Sequence, residues 1–246
     1  MVKSGIKIFA WNLWGGRYLP GIIDFIRVQN PDVIGLQEVV EDLDGSNNIA
    51  ESIARSLGYQ WSFVPSVSLQ LSKLASPVAP PAQDRKVTIG NAVLSKFPII
   101  KSTSLVLSDQ PRRIDIRADI DVRGKILSIF SVHLIHTHQQ PSEIQASEAK
   151  KLLEFAPAKN SVVLGDFNAL PDSRTIEMVS EVLKNNGDLT PPTWSVYPAG
   201  CPICNPPGII HRLDYIFTTK DLSASAFAVG QSKASDHLPI SAVLEI

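Results

Sequence analysis

Ser161-Val162-Val163-Leu164-Gly165-Asp166-Phe167-Asn168-Ala169 is where this chain shows its fold and its chemistry together. Ser161–Leu164 is a short apolar run of the kind that forms a buried strand. Asp166 and Asn168 follow at its end, where backbone is rigid and polar side chains can converge. Upstream, Ile114, Ile116, Ala118, Ile120 and Val122 alternate with Asp115, Arg117, Asp119 and Asp121. That is period 2, a half-buried strand. Arg123-Gly124 turns it into a second strand, Lys125–Leu134, making a hairpin. Further strands are expected at Ile6–Trp11, Val33–Leu36, Val87–Leu94, Arg212–Thr218, Ala224–Val229 and Ile240–Ile246. Helices are expected at 20–29, where Ile22, Phe25 and Ile26 share one face and Asn30-Pro31 is the stop, and at Asn48–Leu57 before Gly58. Two more are expected at Pro141–Phe155, begun by Ser142 and Glu143, and at Ser173–Leu183. Pro65–Asp84 reads as a long loop, and Asn185–Gly208 as loop-rich. Strands outnumber helices and several join as hairpins, which predicts mixed sheets packed on one another with helices outside.

Composition narrows the classes. The 246 residues carry 23 Lys+Arg against 24 Asp+Glu, a net charge of -1, with 44% hydrophobic residues. That excludes disorder and a broad basic field that coats nucleic acid, but not a local anion site. No apolar run approaches the roughly 18–20 residues of a membrane span. The first residues hold no signal-peptide core, and the two cysteines make no disulfide framework. The chain therefore reads as cytoplasmic, with no membrane association and no obligate protein partner evident.

The polar residues at strand ends are Asn12, Glu38, His133, Asp166 with Asn168, Asp214, and Asp236-His237. Four carboxylates and an Asn suit a hard divalent cation such as Mg²⁺ or Mn²⁺, which prefers oxygen ligands. The two histidines lack the i,i+4 spacing of a zinc helix. Histidine beside carboxylate is acid–base equipment. With a metal it can direct water at a phosphate ester.

The strings Trp11-Asn12, Leu36-Gln37-Glu38-Val39, Ser131-Val132-His133-Leu134, Gly165-Asp166-Phe167-Asn168-Ala169, Arg212-Leu213-Asp214-Tyr215-Ile216-Phe217 and Ser235-Asp236-His237-Leu238-Pro239-Ile240 resemble, in order, the motifs of the endonuclease/exonuclease/phosphatase superfamily, the deoxyribonuclease-I-like fold. The resemblance implies an α/β four-layer sandwich: two mixed, mostly antiparallel sheets face to face, flanked by helices, as one domain over 1–246. It implies a metal site at Asn12, Glu38 and Asp236. It implies catalytic roles for His237, for Asp214 that orients it, and for Asp166 and Asn168, whose i,i+2 spacing puts both on one side of an extended segment. His133 stands where nuclease- and sphingomyelinase-like members carry histidine and abasic-site endonucleases carry tyrosine. Gly90-Asn91-Ala92-Val93-Leu94-Ser95 resembles the strand before the substrate groove, which makes Asn91 a candidate phosphate contact. The implied activity is Mg²⁺- or Mn²⁺-dependent phosphodiester hydrolysis, with nucleic acid the first choice of substrate. Sphingomyelinase-, inositol-phosphate- and tyrosyl-DNA-phosphodiesterase-like roles stand as alternatives, as does an inactive binding module. The near-zero net charge leaves little basic surplus for long-range steering and favours a short or small phosphodiester.

Arg112, ahead of a strand in Arg112-Arg113, is a candidate substrate contact, against a default of a solvated charge pair. Arg212 and Asp214 share a strand face, which would put both in the cleft. His136 and His138 read as solvated loop residues. Cys201-Pro202-Ile203-Cys204 departs from the family pattern. A zinc there would need two more ligands, with His211 the only obvious one nearby, so the pair reads as thiols of a loop shaping the substrate entrance. Trp194 reads as packing that loop.

Overall fold

The computed structural model describes residues 5–71, 85–137, 143–200 and 207–246. Cys201, Cys204, His138, Ser142 and residues 72–84 of the expected long loop lie outside them. Twelve strands among the described residues form two six-stranded sheets. The first holds β1 (Gly5–Asn12), β2 (Val33–Asp42), β3 (Gln60–Gln70), β4 (Lys86–Ser95), β11 (Ser223–Val229) and β12 (Ile240–Glu245), in the order β11-β12-β1-β2-β4-β3. The second holds β5 (Ile99–Asp109), β6 (Arg112–Val122), β7 (Lys125–His133), β8 (Ser161–Asp166), β9 (Lys184–Asn185) and β10 (Asp214–Thr218), in the order β5-β6-β7-β8-β10-β9. Only β1–β2 and β7–β8 pair in parallel; every other pair is antiparallel.

Strand alternation builds the layers. Ile8 and Ala10 of β1, Val93 of β4, Ile129 of β7, Val162 and Leu164 of β8 and Ile216 of β10 meet in one apolar layer between the sheets. Their neighbours point outward. Phe9, Trp11, Ile34 and Leu36 pack under α1 (Leu19–Gln29) and α2 (Ile49–Leu57). Phe130, Val163, Tyr215 and Phe217 pack under α3 (Glu143–Phe155) and α4 (Arg174–Val182). The result is the expected four-layer α/β sandwich. Asn48 and Ser173 sit just ahead of α2 and α4 as their N-caps, each side chain accepting backbone N–H bonds. Ile53 of α2 is fully buried against the sheet, and truncating such a residue to alanine costs about 2–5 kcal/mol.

Two corrections concern edges. Pro65–Gln70 belongs to β3 rather than to a loop, with a register shift between Pro65 and Val67 that accommodates the proline. β5, over Ile99–Asp109, has no counterpart in the sequence reading. Both are edge strands with few buried residues; β5 buries only Leu105 and Leu107 at one end, too short an apolar alternation to mark the strand.

Gly165 fixes how β8 leaves the sheet. Its φ is +136°, and a Cβ there would lie 2.3 Å from the Val132 carbonyl oxygen and 2.6 Å from Gln37 Nε2. Both neighbours are buried, and Gln37 is held by a 2.8 Å bond from its Nε2 to Ser131 Oγ. Gly165→Ala is expected to cost about 3 kcal/mol, read as a fall of roughly 6–12 °C in melting temperature. A melting temperature within about 2 °C of the wild type would contradict this account of the turn.

Candidate functional site

At one end of the sandwich the inner faces stop being apolar. Asn12 continues the side of β1 that carries Ile8 and Ala10. Asp166 continues the side of β8 that carries Leu164, Asp214 precedes Ile216 by two on β10, and His133 follows Ile129 by four on β7. Alternation therefore aims all four between the sheets, just beyond the last apolar layer. Glu38 does not obey this parity. A register shift between Leu36 and Val39, with Glu38 at φ +53°, forms a bulge in β2 that re-aims its side chain.

Asp166 is the hub. Its Oδ2 accepts from Asn12 Nδ2 at 3.0 Å and lies 3.6 Å from both His133 Nε2 and His237 Nε2. Its Oδ1 accepts from the Asn168 N–H at 2.8 Å. His237 Nδ1 is 2.9 Å from Asp214 Oδ2, a buried His–Asp dyad. Asn12 Nδ2 also reaches Glu38 Oε1 at 3.2 Å. The Asn168 side chain is turned to the Leu134 carbonyl, which its Nδ2 meets at 3.0 Å.

Burial and neighbouring charge separate the titrations. Burial alone would lower the His237 imidazole, but the carboxylates of Asp214, Asp166 and Asp236 outweigh it and hold His237 well above the ordinary histidine range. His133 goes the other way, well below that range, because it is buried and then because Arg113 and His237 add positive charge nearby. Burial pushes the Asp166 carboxyl up to about 7. Glu38 and Asp236 are both raised, first by burial, and Asp236 adds its charge against Glu38. The site thus pairs a charged histidine with a neutral one, a separation that assigns acid and base roles.

Two groups of residues could hold a cation. Ligating atoms of Asp166, Asp214 and His237 all lie within 4.8 Å of one another, all buried, a cluster able to bind a metal ion of unspecified identity. Glu38 and Asp236 are the second: two half-buried acids, each with a raised proton affinity and with the Asp236 charge acting on Glu38, would gain from a cation between them.

The remaining expectations divide. Asn91 lies at the floor of the site, 3% exposed, but its Nδ2 donates to Asp115 Oδ1 at 2.6 Å. Arg112 is exposed and outside the cluster. Arg113 instead reaches it, its charge acting on Glu38, His133 and Asp115. Alternation would have separated the two arginines onto opposite faces of β6. Arg212 does not enter the cleft: its guanidinium lies over Phe227 at 4.7 Å and Tyr215 at 5.4 Å. His136 is exposed. Trp194 is buried, as packing requires, and does more than pack. Its Nε1 donates to Asp236 Oδ2 at 3.1 Å while its ring stacks on His211.

Asp115 is the residue the sequence reading missed. It is fully buried and accepts from Asn91 and, at 3.2 Å on both oxygens, from the His133 N–H. The alternation that marks β6 made it one of three acids, and nothing distinguished it. Burial raises it to about 8 from the ordinary 3.8. Its folded pKa is the higher one, so the stability it contributes is fully present below 3.8 and is lost as pH rises toward 8. Asp115→Asn should therefore flatten the fall in urea midpoint between about pH 5 and pH 8. A variant curve parallel to the wild type would contradict this.

A buried His–Asp dyad, a third carboxylate between two histidines, and paired acids beside them, all at one end of a double-sheet sandwich, define a phosphoesterase. The chain belongs to the endonuclease/exonuclease/phosphatase family, whose model matches residues 9–237. Among solved structures it is similar to an endonuclease/exonuclease/phosphatase family protein from Leptotrichia buccalis (TM-score 0.76, 17% identity, 98% of this chain and 100% of that one). It is also similar to a protein of the same description from Beutenbergia cavernae (TM-score 0.74, 21% identity, 98% and 72%). A third is D. rerio TDP2 complexed with single strand DNA product (TM-score 0.71, 17% identity, 99% and 100%). No curated protein matches it by sequence.

Proposed function

We propose that the protein is a divalent-cation-dependent phosphodiesterase acting on DNA or RNA, with residues 1–246 working as one catalytic unit because the site draws on both sheets. The observation that carries the reading is the opposed setting of two histidines around one carboxylate, His237 held charged and His133 held neutral, both 3.6 Å from Asp166. Similarity to TDP2, which was solved with a DNA product, adds support for nucleic acid.

Glu38 and Asp236 would hold Mg²⁺ or Mn²⁺ in preference to the Asp214–His237 pair, because His237 Nδ1 is already bonded to Asp214. Asn12 presents N–H rather than oxygen to Glu38, so its part is to orient that acid, as Trp194 orients Asp236. A cation held there would supply positive charge that offsets phosphoryl oxygens and would lower the affinity of His237 for its proton. In that state the His237 imidazolium, fixed in tautomer by Asp214, would first release its Nε2 proton to solvent and then, as the neutral imidazole, take a proton from the attacking water at Nε2. The Asp166 carboxyl lies 3.6 Å from His237 Nε2, and its other oxygen is held by the Asn168 N–H. Arg113 and Asn91 face the phosphate, and His133 stands by the leaving oxygen.

The test is a panel with Mg²⁺ or Mn²⁺: plasmid, single-stranded DNA, RNA, 5′-tyrosyl DNA, bis-p-nitrophenyl phosphate, sphingomyelin and inositol phosphates. Turnover of a nucleic acid is the expected result. Turnover of only sphingomyelin or an inositol phosphate overturns the substrate reading, and turnover of none overturns the enzyme.

A further inference from the structure

Beside the paired acids lies a cavity of about 480 Å³ that the mechanism does not use. Arg17, Tyr18 and Pro20 form one wall, where the chain turns from β1 into α1; Ser232, Lys233 and Ala234, just ahead of Asp236, form the other. The walls come close, since a Cβ on Gly21 would sit 3.2 Å from the Ala234 Cβ. Among the described residues, no acid lines this space. Arg17 separates it from the acids: its charge acts on Glu38 and Asp236, and its buried Nε has no hydrogen-bond partner.

The frame around it is firm. The Tyr197 ring stacks on Trp14 with centroids 5.2 Å apart and on Tyr18 at 6.0 Å. Its hydroxyl donates to the Lys233 carbonyl at 2.6 Å, tying the two walls together. Trp14 is itself anchored by its N–H to Asn12 Oδ1 at 3.0 Å, and the Arg17 guanidinium lies over its ring at 4.6 Å.

We propose that this cavity is a second anion subsite, holding a phosphate one linkage away from the scissile one. Two cations, two hydroxyls and, among the described residues, no carboxylate suit a phosphate. The apolar stretch at Pro20 and Ala234 suits the sugar that joins two phosphates. The same lining disfavours a quaternary ammonium headgroup, because the cations repel it and Arg17 already covers the Trp14 face. The favoured substrate is thus an oligonucleotide, or a dinucleotide with a terminal phosphate, over a choline phosphoester. This rests on the phosphodiesterase reading above.

The test compares thymidine dinucleotides with a 5′- or 3′-terminal phosphate against the one with neither. One phosphorylated form should show about a tenfold higher kcat/KM, mostly through KM, and the advantage should shrink with added salt. Lys233→Glu should bring that ratio to about one or below, while the remote Lys101→Ala keeps it. A ratio near one in the wild type, or one unchanged by Lys233→Glu, overturns the subsite. If the wild type does not turn over even bis-p-nitrophenyl phosphate, the catalytic reading has failed, and the subsite is then judged by calorimetry in EDTA. Tighter binding of a phosphorylated dinucleotide, lost in Lys233→Glu, sustains it; equal binding of all three overturns it.

Discussion

His237→Ala is expected to lower kcat/KM for a phosphodiester by roughly 10³–10⁴-fold with the fold intact. The imidazole is placed to exchange a proton at the centre of the site, with Nδ1 fixed by Asp214 and Nε2 facing Asp166. Removing it also removes the positive charge that lets buried Asp166 and Asp214 and half-buried Asp236 lie close together. The loss should not grow by a comparable factor when Asp214→Asn is added, because the dyad acts as a unit. Independent, multiplying losses in kcat would show that Asp214 does not work through His237. Circular dichroism and the melting curve separate the loss of chemistry from a loss of fold.

The second large effect is that of Glu38→Ala. If Glu38 and Asp236 hold the cation, losing one acid forfeits about 4 kcal/mol of charge stabilisation in the transition state, a loss of roughly a thousandfold. It should be accompanied by a weaker calorimetric affinity for Mn²⁺, and excess Mn²⁺ should restore part of the rate. Glu38→Gln should behave similarly, since it keeps the shape and loses the charge. Unchanged Mn²⁺ affinity in both variants would move the metal to the Asp166, Asp214 and His237 cluster.

The fold was legible wherever a strand is buried on both faces. β1, β8 and β10 carry dense apolar residues, and their polar ends, Asn12, Asp166 and Asp214, inherit the inward parity of the residues before them. The helices were legible from their spacing and stops, with Asn48 and Ser173 at the two starts. Edge strands were not, because most of β5 is exposed, with only Leu105 and Leu107 buried, and β3 interrupts its pairing at Pro65. Within the site, residues set by alternation came together as expected, while those set by irregularity had to be seen. The bulge that turns Glu38 inward is invisible in Leu36-Gln37-Glu38-Val39, where only its place at a strand end and the resemblance marked the acid. The choice between Arg112 and Arg113 depends on which face of β6 meets the cleft. Asp115 and the Trp194 indole bond depend on contacts across long sequence separation, Asp115 reaching Asn91 and Trp194 reaching Asp236.

The measurement that bears most directly on the central claim is the initial rate of bis-p-nitrophenyl phosphate hydrolysis by purified protein, with Mn²⁺, with EDTA, and with His237→Ala. This diester needs no recognition beyond its phosphate, so it reports the catalytic centre alone. Turnover that requires the cation and vanishes in His237→Ala is the predicted result. Turnover that survives either EDTA or the substitution would contradict a cation-dependent phosphodiesterase built on this histidine.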